Sequence, residues 1–496
     1  MLSAARAILI TQMNNLFSNL SIASNGFFVF VLTTLGVYYL VPKKAQNYVL
    51  LIASYLFCIT WDWTFAAILI VSSVINYLTA LKMDTSSNLW RTRWLWFGIA
   101  MNLGALLFYK YFDQTQVYFF KSLLRIGLTK SLVELDLLQP IGISFYTLQA
   151  VSYLIDVYRK QIPANNNFAE VSLYLAYFPK LLAGPIERAQ FFFKQLQTDL
   201  EVGNEQIIES FIRIFVGLSR KLIISDTIGQ MIPASVFATP QNFSMPDLLF
   251  WWLAFAFVIY NDFAGYTSIA RGVSGLFGIQ LSPNFEQPFF STSYIDFWNR
   301  WHISLSNWLR DYIYMPVSRA MLRRNPSGRY WPNLIVPPLV TMIVSGIWHG
   351  AAPHFILWGI LNGALQGFER IQKLWRKNIP AQPPRWKRVI NILITILVLI
   401  LISVPFKFDL VHTLAFWSGI FRWGAAQSLS IHQIIKPVLA IGLSFFIDVM
   451  QLPKKDELGL LRLPKTAQVF LLTTGLLLLF LVTRQQAAAP FIYQEF

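Results

Sequence analysis

Residues 345–363, SGIWHGAAPHFILWGILNG, combine a composition suited to lipid with an ionisable ring and helix breakers. His349 stands directly before Gly350, and Pro353 follows shortly afterwards. Because glycine allows close backbone approach and proline suits the first turn of a helix, the pattern predicts that one helix ends near His349 and another begins at Pro353. The last carbonyl groups of a helix need hydrogen-bond partners. We therefore expect a polar pocket around this imidazole.

Long apolar runs on both sides of this stretch indicate the class of protein. The 496 residues are 55% hydrophobic and 13% charged, with a mean hydropathy of +0.49. A spanning helix needs roughly 20 mostly apolar residues, and the runs reach this length with their flanks. They occupy residues 26–41, 48–60, 65–81, 94–108, 389–404 and 469–482. The composition predicts an all-α multi-spanning membrane protein with about ten to twelve transmembrane helices, plus re-entrant or interfacial helices.

The spacing of these runs predicts a single integral-membrane domain over residues 1–496. We place N-terminal spans in 26–110, a motif-bearing core in 141–370 and C-terminal spans in 388–483. Between residues 141 and 304, glycine, proline and charged residues repeatedly interrupt the apolar runs. This pattern is typical of short, tilted or re-entrant helices, which are tolerated at membrane depth where they line a cavity.

Basic residues cluster after the first and third apolar runs and again at 318–329 and 373–388. The positive-inside rule assigns such clusters to the cytoplasm. The N-terminus then faces outward, and WDW at 61–63 forms an outer interfacial turn. Loop charges of this kind also account for the net charge of +16, and no basic stripe typical of a nucleic-acid-binding fold is present. We expect the lipid bilayer, and no nucleic acid, as a partner.

The sequence lacks the motifs of several common enzyme classes. The single cysteine, Cys58, excludes an intrachain disulfide framework and a cysteine-rich metal site. There is no HExxH metal helix, GxSxG nucleophile elbow, P-loop or dinucleotide-binding glycine pattern. We expect no bound metal or cofactor.

Histidines are few, and their surroundings differ. They are His302, His349, His354, His412 and His432. His412 and His432 adjoin polar loop residues and are interpreted as hydrogen-bonded interfacial residues. His354 follows the helix-starting proline, and a structural role is favoured there too. His349 lies between two strongly apolar segments, where an ionisable group is costly and indicates function.

A second unit, YIDFWNRWHISLSNWLRDYIYMP at 294–316, predicts a helix with two distinct faces. The first face is aromatic and aliphatic and comprises Trp298, Trp301, His302, Leu305, Trp308 and Leu309. The second is polar and comprises Arg300, Ser304, Asn307 and Asp311. An interfacial helix explains the tryptophans, but explains less well a histidine within their stripe. Arg310 and Asp311 are equally consistent with pairing to neighbours.

A neutral imidazole in such a site can accept a proton from a hydroxyl as it attacks an acyl carbon. Its ordinary pKa near 6.5 leaves a useful neutral fraction at pH 7. No serine or cysteine nucleophile is then required, since the acceptor hydroxyl attacks directly.

Five blocks in order carry a resemblance to a known family. They are IGISFYTLQAVSYLIDVYR (141–159), FPKLLAGPIER (178–188), YNDFAGYTSIARGVSGLFGIQLSPNF (260–285), DFWNRWHISLSNWLRDYIYMP (296–316) and GIWHGAAPHFILWGILNG (346–363). With them the chain resembles the membrane-bound O-acyltransferase family, in its bacterial alginate O-acetylase-like branch. The resemblance implies a ring of helices around a central tunnel. It also implies a thioester donor, acetyl-CoA or an acylated carrier, on the cytoplasmic side and an acceptor outside.

The resemblance also implies roles for particular residues. The principal catalytic histidine of the family corresponds to His349, and its second histidine, in an Arg-Trp-His motif, to His302. Weaker supporting residues within the same blocks are Asn299, Arg310, Asp311, Asp262 and Trp298. The chain departs from the family pattern at MPVSRAMLRR (315–324), where a glycine pair is usual, and at Asn362, where many relatives have histidine. Thr267 and Ser268 replace a common Ser-Asp. These departures leave the identity of the acceptor open.

Three functional hypotheses follow. The first is transfer of an acyl group, with acetyl favoured, across the bacterial inner membrane to a surface polysaccharide or a periplasmic acyltransferase partner. The second is D-alanyl transfer towards teichoic acid from a carrier-protein thioester. The third, from another class, is a transporter or scaffold for polysaccharide, suggested by many spans and a midplane cavity.

Overall fold

The computed structural model describes residues 20–125, 138–198, 201–328, 330–375, 384–422, 431–452 and 457–485, except for the side chains of 113–125, 431–432 and 484–485. Within these ranges every regular element is a helix and no strand occurs. The predicted all-α class is confirmed.

The chain divides into two compact units, and the first comprises Met1–Phe211 with Ile269–Ser282. Its helices are α1 (Asn25–Leu40), α2 (Lys43–Ile59), α3 (Trp63–Thr85), α4 (Asn88–Arg125), α5 (Ile143–Tyr158), α6 (Phe168–Ala176), α7 (Phe178–Leu181) and α8 (Ala189–Leu196). The first four apolar runs correspond to α1, α2, α3 and α4, although the first two runs each end one residue after their helix. Asp62 caps α3 by accepting a hydrogen bond from the N–H of Thr64 (2.7 Å), which ends the predicted turn at WDW.

The second unit comprises Ile212–Ser268 with Pro283–Phe496, and α9 (Asn204–Leu218) and α12 (Met245–Leu276) contribute residues to both units. Its other α-helices are α10 (Asp226–Met231), α11 (Ala234–Ala238), α13 (Tyr294–Arg300), α14 (Ile303–Leu309), α15 (Met315–Arg324), α16 (Trp331–His349), α17 (Pro353–Trp375), α18 (Arg385–Lys407), α19 (Leu410–Gly419), α20 (Ile431–Gln451) and α21 (Lys465–Gln485). Wider π-helical turns occupy Ser219–Ser225 and Arg310–Tyr314. The prediction of one domain over the whole chain stays a prediction.

Seven helices in the described ranges are long and apolar enough to cross a membrane. They span Trp63–Thr85, Asn88–Phe112, Met245–Leu276, Trp331–His349, Arg385–Lys407, Gln433–Gln451 and Lys465–Thr483. A shorter apolar helix is Asn25–Leu40. The chain is therefore a multi-pass membrane protein, as predicted. The total of ten to twelve spans and the central tunnel stay predictions.

The core contains one long helix where the sequence predicted only short ones. α12 runs without interruption for 32 residues, across glycines and the pair Asn261–Asp262. Both polar side chains have partners: Asn261 Nδ2 donates to the Phe257 carbonyl (2.9 Å), and Asp262 pairs with Lys221 (2.6 Å). Because buried polar groups that are paired no longer favour leaving the helix, α12 continues through them. Short helices do occur on either side of it, as expected.

Helices α16 and α17 form a tightly packed hairpin around the opening stretch of sequence. A Cβ on Gly363 would lie 2.5 Å from Cα of Leu339, and one on Gly346 or Gly359 would collide with the backbone of the opposite helix. Small residues thus allow the two backbones to approach closely. The hairpin turns at residues 350–352, where it presents His349.

Candidate active site

One cavity in the second unit brings together the two histidines that the sequence singled out. It has a volume of about 110 Å³, enough for several water molecules. Most of its lining is aromatic or aliphatic. Apart from the tryptophans, its polar or ionisable side chains are Tyr294, His302, His349, Asn362, Ser403 and Lys407. A mostly apolar cavity with a few converging polar groups is typical of a small-molecule site.

His349 reaches this cavity because α16 ends at that residue. Gly350 continues in an extended conformation (φ −176°), and its N–H donates to the Gly346 carbonyl at 3.2 Å. The imidazole is buried among aromatic rings, with ring centroids 4.9 Å from Phe406 and 5.5 Å from Trp358. α17 begins at Pro353. The predicted helix end and helix start are both confirmed.

His302 lies at a break that the sequence did not predict. The helix expected through 294–316 stops at Arg300, and His302 adopts a left-handed conformation (φ 43°, ψ 54°) before α14 begins at Ile303. The prediction of one continuous two-faced helix is therefore wrong. Such a backbone is uncommon outside glycine, and it persists only where the surroundings hold it in place.

Asn284 holds this break. The N–H of Ile303 donates to the Asn284 carbonyl (2.9 Å), and the N–H of Ser304 donates to its Oδ1 (3.1 Å). Two donors at the start of α14, which a continuous helix would have satisfied internally, are thus paired from outside it. Asn284 is fully buried. These bonds hold the backbone directly after His302, which lines the cavity.

The His302 ring packs edge-on against Phe263, with ring centroids 4.7 Å apart. The residue lies between short helices, outside the seven candidate spans. Burial lowers the pKa of His302 to about 3, since the charged form loses hydration. At neutral pH this imidazole is uncharged, and it can donate one hydrogen bond and accept another.

The weaker supporting residues do not gather at this cavity, with one exception. Trp298 lines it, with its ring centroid 5.9 Å from that of Trp358. Asn299 is exposed. Arg310 and Asp311 pair with each other at 2.9 Å in an exposed position, and Asp262 pairs with Lys221, away from the cavity lining.

The remaining histidines have local partners or lie outside the described side chains. A ring nitrogen of His354 hydrogen-bonds to the Pro405 carbonyl at 2.8 Å. His412 contacts Asp409, which caps α19, at 2.9 Å. The side chain of His432 is outside the described part of the chain. Among the side chains that are described, no three His, Cys, Asp or Glu residues lie close enough to share a metal ion.

Sequence reasoning assigned no role to several residues of the site. Asn362, noted only as a departure from the family pattern, lines the cavity and accepts a hydrogen bond from the Tyr294 hydroxyl. Ser403 belongs to an apolar run that was interpreted only as a span, and Lys407 follows that run by three residues. Asn284 belongs to a quoted block, but no local signal connects it with His302.

Comparison with known proteins identifies relatives of this chain. The family model described as membrane-bound O-acyltransferase matches residues 158–406, which include both cavity histidines. A probable alginate O-acetylase of Azotobacter vinelandii is 34% identical over 73% of this chain and 71% of its own length. A peptidoglycan O-acetyltransferase of Helicobacter pylori is 30% identical over 68% of each chain.

Another relative is named for the transfer of a different acyl unit, D-alanyl in place of acetyl. A teichoic acid D-alanyltransferase of Bacillus subtilis is 30% identical over 52% of this chain and 66% of its own length. The family match covers half of the chain, and the match to the Azotobacter vinelandii protein covers a larger share of it. On this evidence, this multi-pass protein is an acyltransferase and belongs to the membrane-bound O-acyltransferase family.

Proposed function

We propose that the protein transfers an acyl group, most simply acetyl, from a thioester to a hydroxyl group across the bacterial cytoplasmic membrane. The donor is acetyl-CoA or an acylated carrier protein on the cytoplasmic side. The acceptor is a cell-surface polysaccharide or a periplasmic relay protein. The observation that carries the proposal is the shared cavity of His302 and His349, within a chain whose relatives include named O-acetylases.

His349 serves as the general base in this proposal. The acceptor hydroxyl gives its proton to the imidazole while its oxygen attacks the thioester carbonyl carbon. The tetrahedral intermediate collapses, the carbon–sulfur bond breaks, and the leaving thiolate takes the proton from the imidazolium. The products are an oxygen ester and a free thiol, so the step balances without a metal or a further cofactor.

His302 assists as a neutral hydrogen-bond donor. An uncharged imidazole N–H directed into an apolar cavity can stabilise the negative charge that develops on the carbonyl oxygen, without the cost of reorganising water. The burial of His302 supports this role, since it keeps the ring uncharged at neutral pH.

The basic ends of the helices support the orientation. α18 begins with Arg385, Lys387 and Arg388, and the positive-inside rule assigns this end to the cytoplasm. Lys373, twelve residues before Arg385 and still in α17, pairs with Glu369 at the same expected side. By the same rule, the basic residues that follow α1 and α3 assign the N-terminus to the outside.

D-alanyl transfer is the second candidate, supported by the 30% identity to a teichoic acid D-alanyltransferase. Deletion of the gene, followed by mass spectrometry of surface polymers, distinguishes acetyl transfer from D-alanyl transfer. Loss of acetyl esters supports the main proposal, and loss of D-alanyl esters supports the alternative. If neither ester changes and the purified protein transfers neither group, the proposed function is rejected.

A further inference from the structure

Lys407 brings a charged group to the cavity that contains the two histidines. It is the last residue of α18, and it lines the same cavity as His302 and His349. Its Nζ lies 5.7 Å from the ring centroid of Phe255 and 6.0 Å from that of Phe237. Aromatic faces attract cations. These rings therefore keep the ammonium group beside the cavity.

The described part of the cavity wall carries positive charge only. Among the described residues that line it, Lys407 is the one lysine, and there is no arginine, aspartate or glutamate. A lysine ammonium has three N–H donors, which suit the oxygen atoms of a carboxylate or phosphate. Its attraction for an anion is stronger in this apolar environment than in water.

Lys407 is also close to the reacting centre through its neighbour in the chain. Phe406 packs against the His349 ring with ring centroids 4.9 Å apart, and Lys407 follows directly. An anion bound by Lys407 would therefore share the cavity with the hydroxyl that His349 deprotonates.

We propose that Lys407 forms an anion-binding subsite of the transfer cavity, which binds a carboxylate or phosphate of the acceptor. The proposal rests on the proposed function above. α18 has 23 residues, long enough to cross a bilayer, and its basic start is assigned to the cytoplasm. Lys407 then lies at the opposite, acceptor end. The acceptor favoured by this site is an anionic glycan rather than a neutral one.

Steady-state kinetics of the full-length protein in lipid nanodiscs tests the subsite. The acceptors are a short uronic-acid oligosaccharide, a glycerol-phosphate oligomer and the carboxyl-reduced form of the first. In Lys407→Gln we expect KM for the anionic acceptors to rise about ten- to a hundredfold, with kcat and KM for the reduced acceptor little changed. Lys407→Arg should keep most of the affinity. Lys436→Gln, on an exposed part of α20, is the matched control.

The KM that changes in Lys407→Gln shows whether the bound anion belongs to the acceptor or to the donor. A rise in KM for acetyl-CoA alone assigns the subsite to a phosphate of the donor, and this overturns the acceptor assignment. A fall in kcat with every KM unchanged means that Lys407 acts on the reacting atoms, and this rejects the subsite.

A direct binding measurement tests the subsite independently of the proposed function. The affinity of His349→Ala protein for the uronic-acid oligosaccharide is measured with and without Lys407→Gln. If the wild-type protein transfers no acyl group but binds the oligosaccharide through Lys407, the subsite stands and the proposed function fails. If binding is the same in both proteins, the subsite is overturned, whatever the activity.

Discussion

The imidazoles of His302 and His349 both lie beside one indole, that of Trp348, with ring centroids 6.4 Å and 4.7 Å from it. Each histidine stands at an end of a helix: His349 closes α16, and His302 precedes α14. Helix ends leave backbone groups that need partners, so polar chemistry is tolerated there inside an otherwise apolar protein. The following predictions test this arrangement.

Replacing His349 should greatly slow transfer without unfolding the protein. We expect His349→Ala and His349→Gln to lower kcat by about 10²- to 10⁴-fold, because the acceptor proton loses its base. The measurement is ester formation from a labelled thioester, beside thermal unfolding of the same preparation. His412→Ala, at an exposed residue, is the control and should retain activity. Full activity in His349→Ala would exclude this histidine as the base.

Acid should destabilise the protein through His302. Since the folded-state pKa is about 3 and the unfolded value about 6.5, the unfolded state binds more protons between these pH values. Stability is therefore full above about pH 6.5, and it falls by about 1.4 kcal/mol per pH unit below that value. Apparent unfolding temperatures from pH 7 to pH 5 measure the slope.

The controls for this pH dependence are two substitutions of histidine. His302→Gln should flatten the acid slope, because glutamine does not titrate. His412→Gln should leave it as in the wild type. Equal slopes in wild-type and His302→Gln protein would show that His302 does not cause the acid sensitivity.

Asn284 is a positioning residue for His302. In Asn284→Ala the N–H of Ser304 loses its side-chain acceptor, at a cost of about 1 kcal/mol. We expect kcat to fall about tenfold or more with little change in either KM, since His302 loses its orientation while the binding cavity remains. Asn299→Ala, at an exposed neighbouring residue, is the control and should be close to wild type. Proportional changes in KM and kcat would point to a general structural role instead.

Close packing of α16 and α17 should depend on Gly363. Gly363→Ala places a methyl group against the backbone at Leu339, and overpacking of this kind costs about 1–3 kcal/mol. We expect a lower unfolding temperature and reduced kcat, because the hairpin presents His349. Gly442→Ala in α20 has open space around the new Cβ and is the matched control. If both variants unfold at the same temperature, the hairpin does not depend on this close approach.

Much of the architecture follows from local features of the sequence. Apolar runs of sufficient length form helices because lipid leaves no partner for unpaired backbone groups. Asp62, Gly350 and Pro353 mark helix boundaries through chemistry carried by the residue itself or its immediate neighbours. His349 could therefore be assigned to a helix end, and ranked first among the histidines, without a structure.

The interruption at His302 could not be predicted in this way. The spacing of Trp298, Trp301 and Leu305 suits a continuous helix. The interruption is stabilised by hydrogen bonds to Asn284, which lies on another segment. The opposite error occurred in α12. Interruptions of the apolar runs predicted short helices there, but the polar side chains of Asn261 and Asp262 found partners in the folded protein. In both cases contacts made in the folded protein outweighed local preference.

The amino-acid order alone decided the membrane class, the helix ends around His349 and the choice of His349 and His302 as candidate catalytic residues. Each of these depends on short stretches of the chain. Folding decided that these histidines share a cavity, that Asn284 orients one of them, and that Lys407 and Asn362 join them. Those relationships depend on contacts between segments far apart in sequence, and such contacts form only when the helices pack.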